Sequence, residues 1–71
     1  MKEGDKVIFL GCNKEQILWG NNNDPNPILE KGKTYVVESV LVKSMHTKIE
    51  LVGYKGKFNS VCFDEVTNET F

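Results

Sequence analysis

KTYVVESVLVKS, residues 33–44, decides how the chain folds. It carries the strongest strand signal in the sequence, dense in β-branched and aromatic residues. Tyr35 and Val37 share one face. Strict alternation would then send Val40 and Val42 to the other, alongside Glu38. A bulge near Glu38–Ser39 removes the conflict, because one extra residue returns Val40 to the face of Tyr35 and Val37. A bulge also bends the strand, and a bent central strand lets a small sheet curl around one core.

Outward from this strand the pattern repeats in shorter pieces. Lys6 to Cys12 reads as a strand behind a Gly4–Asp5 turn. TKIELVGY, 47–54, alternates, with Ile49 and Leu51 on one face. Gly53 and Gly56 supply the positive φ of a tight hairpin. FNSVCFDEV, 58–66, does not alternate, and Asn59 and Ser60 predict a turn or a single 3₁₀ turn. A last strand runs from about Phe63 to Val66, and TNETF, 67–71, reads as a frayed tail. No run of ten residues keeps a helical period; NKEQILW, 13–19, comes nearest but is too short to stand alone.

The expectation is an all-β, small SH3-like five-stranded barrel over residues 1–66. It has a long first loop and a short 3₁₀ turn before the last strand. The long loop contains ILWGNNNDPNPIL, 17–29. A structureless loop of that length is unusual in so small a domain. Ile17–Leu18 and Ile28–Leu29 are therefore expected to close the core, with a mobile tip over Asn21–Pro27.

Composition narrows function by exclusion. A chain of 71 residues is one domain, burying only roughly 60% of its unfolded surface. Nine lysines face ten acids, for a net charge of −1, and there is no arginine. Without arginine's planar fork, sequence-specific DNA readout is disfavoured, and balanced charge speaks against a general polyanion or membrane-surface binder. The opening MKEGDK is polar and does not resemble a secretory leader, so a cytoplasmic protein is expected. Cys12 and Cys62 are accordingly expected as reduced, buried thiols.

No catalytic constellation emerges. His46 is the single histidine, and Asp64 and Glu65 are adjacent on a strand, so they point to opposite faces. Two cysteines and one histidine do not make a four-ligand zinc site, and Asp24 alone among asparagines does not make a calcium loop. Neither metal nor cofactor is expected.

Two binding surfaces remain. In a barrel of this kind the long first loop, the short second loop and the 3₁₀ turn meet, which would bring Trp19, Met45, His46 and Asn59 together. Tryptophan is enriched at protein interfaces, so the leading expectation is a non-enzymatic, monomeric module that binds a protein partner there. The alternative is a weak single-stranded nucleic-acid binder. It would use Lys43, Lys48, Lys55 and Lys57 with Tyr54, a stretch in which Glu50 is the only acid.

The strand and turn order resembles that of SH3-like barrels, and GKFNSVCFDEV, 56–66, resembles their closing segment, without its usual proline and tyrosine. That departure speaks against proline-peptide binding. LEKGKTYVV (29–37), HTKIEL (46–51) and FNSV (58–61) are similar to segments of YorP-like small prophage-encoded proteins. This resemblance spans nearly the whole chain. It implies an SH3-like fold and a phage origin, and it carries no activity with it.

Overall fold

A computed structural model describes residues 1–66. The expected tail, 67–71, lies outside the described residues. Five antiparallel strands form one sheet: β1 Lys6–Phe9, β2 Thr34–Val42, β3 Thr47–Leu51, β4 Phe58–Asn59 and β5 Phe63–Glu65. Their spatial order is β4-β3-β2-β1-β5. A short helix, α1 (Lys14–Leu18), follows β1, and a 3₁₀ turn, Ser60–Cys62, joins β4 to β5.

β2 is shared between two ladders. Its first residues, Thr34–Val36, pair with β1, while Val37–Val42 pair with β3. The handover is a bulge: Val37 faces Leu51 and Ser39 faces Glu50, leaving Glu38 as the extra residue. The Ser39 hydroxyl donates to Glu50 Oε1 at 2.6 Å across this irregularity. Tyr35 and Val37 are buried and Val40 packs against the same core, as the bulge requires. Val42 stays exposed.

The core is built from Val7, Phe9, Val37, Ile49, Leu51 and Phe58, with Cys62 and Phe63 arriving from the turn and β5. Ring centroids of Phe9 and Phe63 stand 5.4 Å apart, in the tilted contact favoured by aromatic quadrupoles. Gly53, at φ 84°, makes the turn after β3 that any residue with a Cβ would strain.

The sheet is open. Among the described residues β4 and β5 are its two edges, and the 3₁₀ turn spans the gap between them without a ladder. The closed barrel expected from strand count is therefore not formed, because β4 and β5 hold only two and three residues. β1 also stops earlier than expected, at Phe9. The Leu10 N–H still donates to the Cys62 carbonyl (2.8 Å), one step further along the β1–β5 register.

The β1–β5 register overturns the expectation of two reduced thiols. Antiparallel pairing of β1 with β5 sets Phe9 opposite Phe63. Cys12 and Cys62 are carried to a Cα separation of 5.2 Å, and they form a disulfide.

Candidate functional site

The long first connection is folded rather than loose, and its asparagines are the reason. Asn13 caps α1: its Oδ1 accepts from Gln16 N (2.8 Å), and Gln16 Oε1 accepts from Asn13 N (2.9 Å). This reciprocal pair is a capping box. At the other end, Asn21 N donates to Leu18 O and Asn22 N to Ile17 O, while Asn22 Nδ2 donates to Trp19 O. The last carbonyls of a helix need such partners.

The tip expected to be mobile is tied to the body. Asn23 N donates to Lys57 O and Lys57 N to Asn23 Oδ1, both at 2.9 Å. The Asn26 side chain donates to Cys12 O and accepts from Cys12 N. Pro25 and Leu29 are buried. Leu18 and Ile28, expected in the core, are 65% and 50% exposed. α1 explains Leu18, since two neighbours on a helix cannot both face the sheet, and Ile17 is the one more covered.

A buried polar side chain helps dock α1 onto the sheet. Asn59, 3% exposed, donates from Nδ2 to Gln16 O (2.9 Å) and accepts at Oδ1 from Val61 N (3.2 Å). Beyond α1 stands Trp19, 53% exposed, its indole N–H donating to Met45 O at 3.3 Å. Met45 and His46 form the β2–β3 connection, closed by Lys43 N donating to His46 O. The His46 ring lies directly against Gly20, where an added Cβ would overlap it.

These contacts leave a cleft of about 410 Å³. Trp19, Met45, His46 and Asn59 all line it. Asn13, Glu15, Gln16, Thr47 and Val61 complete the lining and were not anticipated. The signal for α1's contribution was the N-x-x-Q spacing of Asn13 and Gln16, ahead of the apolar run 17–19.

The chemistry of the cleft is mostly apolar contact. Trp19, Met45 and Val61 present exposed apolar surface, Met45 at 73%. Asn13, Gln16 and Asn59 are engaged in holding α1, so Asn59 contributes floor and shape instead of open donors. Glu15, His46 and Thr47 are the remaining polar or charged side chains of the lining.

The lysine surface is dispersed by comparison. Lys43 is exposed at one end of the β2–β3 ladder, and half-buried Lys48 donates to Asn21 O. Tyr54 and Lys55 follow the other end of β3, roughly 14 Å along the strand, whereas Lys57 comes back to precede Phe58, which faces Ile49. Tyr54 meets Tyr35 edge-on at 5.4 Å, and borders a separate depression with Lys33 and Val36. Lys43 and Tyr54 thus stand at opposite ends of the β2–β3 ladder.

None of the described residues forms a helix long and apolar enough to cross a membrane. No curated protein and no solved structure matches the chain. A family match covers residues 20–70, beginning one residue after Trp19 and including Met45, His46 and Asn59. Spanning well over half of the sequence, that match shows that the chain belongs to the bacteriophage T4 protein Y07B family.

Proposed function

We propose that this phage protein is a non-enzymatic binding module that contacts a protein partner through the Trp19–Met45 cleft. The carrying observation is the pairing of two large, exposed apolar side chains on a built support. Trp19 and Met45 are joined by the indole hydrogen bond, and α1 is fixed beneath them by Asn59. Exposed aromatic and methionine side chains beside a concave floor are the usual anchors of protein interfaces.

We read the fold as an open, SH3-like arrangement of the YorP-like kind, in a protein acting as a monomer in the cytoplasm. Its support is the strand order β4-β3-β2-β1-β5, the bend of β2 at its bulge, and the 3₁₀ turn between β4 and β5. The single-strand alternative has no comparable convergence of side chains behind it.

Affinity capture from infected cells tests the proposal. Wild-type protein should retain a partner that Trp19→Ala loses and that a Lys55→Gln/Lys57→Gln variant keeps. Retention of every captured protein by Trp19→Ala would remove the cleft from the account. If capture instead followed the lysines and fell steeply with salt, the nucleic-acid reading would replace it.

A further inference from the structure

The two sulfurs of the Cys12–Cys62 bridge are unequal. Cys62 is fully buried, whereas Cys12 is only partly buried and borders a surface depression with Gly11, Asn26 and Lys31. Lys31 leans across this spot: a Cβ on Gly11 would lie 3.6 Å from its Cδ. Of the two bridged residues only Cys12 retains solvent exposure, and Lys31 lines the same depression. A neighbouring cation attracts the incoming thiolate to that side of the bridge, and access decides which sulfur is attacked.

We infer that Cys12 is a thiol–disulfide exchange site for small thiols and disulfides of the glutathione class, and that the state of the bridge sets the shape of the Trp19 cleft. An external thiolate attacks Cys12 Sγ. The Cys12–Cys62 bond breaks, and Cys62 leaves as a thiolate that takes a proton from water. A second external thiolate attacks the outer sulfur of the mixed disulfide, releasing the small disulfide and a Cys12 thiolate, which is protonated in turn. Two electrons pass from two small thiols to the bridge. The reverse sequence, with the small disulfide as oxidant, closes it again.

The bridge is placed to be felt in the cleft. Cys12 directly precedes the cap residue Asn13, and Cys62 sits three residues after Asn59. Cys62 Sγ lies 3.6 Å from Gln16 Oε1, the atom that accepts from Asn13 N. A free Cys62 thiol can donate to that oxygen; a bridged sulfur cannot. Opening the bridge thus changes the hydrogen bonding at the start of α1 and unties it from the 3₁₀ turn. The bonds from Leu10 N to Cys62 O, and between Cys12 and Asn26, remain to hold the sheet. Only the consequence for the cleft rests on the proposed function; the exchange chemistry does not.

The test exposes the folded full chain to reduced glutathione, quenches with N-ethylmaleimide and maps the adducts by mass spectrometry. The expected product carries glutathione on Cys12 and maleimide on Cys62. Lys31→Gln should slow its appearance several-fold, and Lys31→Arg should restore it. On full reduction, amide shifts should change over 13–19 and 59–62 while Ile49 and Leu51 stay in place. Glutathione on Cys62, thiols released only in denaturant, or loss of the whole dispersed spectrum on reduction would overturn the inference. If exchange fails while Trp19→Ala still loses its partner, this inference falls and the protein-binding reading stands. Exchange at Cys12 with no partner lost by Trp19→Ala has the opposite meaning.

Discussion

Asn59 carries more of the site than its size suggests. Its side chain is buried and satisfies one acceptor on α1 and one donor in the 3₁₀ turn. Asn59→Ala leaves both groups short of a partner, so a loss of about 1–3 kcal/mol is expected in urea unfolding. Gly20 is the second sensitive position. Its φ of 79° and the His46 ring against it both exclude a side chain. Gly20→Ala should cost about 1–2 kcal/mol and shift the His46 ring signals in NMR. Trp19 differs from both: half-exposed and held by one hydrogen bond, it should tolerate Trp19→Ala within about 1 kcal/mol while losing its partner. A stability cost without a binding change at Trp19 would make it a packing residue.

α1 shows where sequence reasoning stopped. Five residues lie below the length at which a helix persists alone. What forms it is the capping box at one end, the Asn21–Asn22 contacts at the other, and Asn59 across forty-three positions of sequence. The cap was readable as N-x-x-Q, but the distant anchor was not. Asn13→Ala should therefore loosen α1 and cost about 1 kcal/mol, seen as faster amide exchange over 14–18 with β3 unchanged. The strands were legible because each carries its own pattern. The β2 bulge followed from a clash between alternation and burial, and the 3₁₀ turn from the break after Phe58. Leu18 was placed in the core because a folded-back-loop reading of 17–19 hides the helical turn that points it outward.

At the scale of the whole molecule, a thin core is wrapped by a sheet whose two short edges meet through one 3₁₀ turn. The meeting of Trp19, Met45, His46 and Asn59 in one cleft was expected from the SH3-like frame, in which the first loop, second loop and 3₁₀ turn lie together. The disulfide did not, because fifty residues separate its cysteines and nothing local marks their meeting. Closing so long a loop restricts the unfolded chain by up to about 4 kcal/mol, against a total of roughly 4–10 kcal/mol for a domain of this size. Reduction should thus lower the thermal midpoint markedly while leaving a folded protein, as calorimetry with and without reductant can read. An unchanged midpoint with both thiols titratable would deny the bridge a stabilising role. Central to the account is that the folded-back first connection and the β2–β3 connection together form the partner surface. Amide hydrogen exchange on the captured complex tests it most directly. Protection is predicted over 13–19 and 45–47, with 33–36 and 52–55 unchanged; protection confined to that second apolar patch around Tyr54 would contradict it.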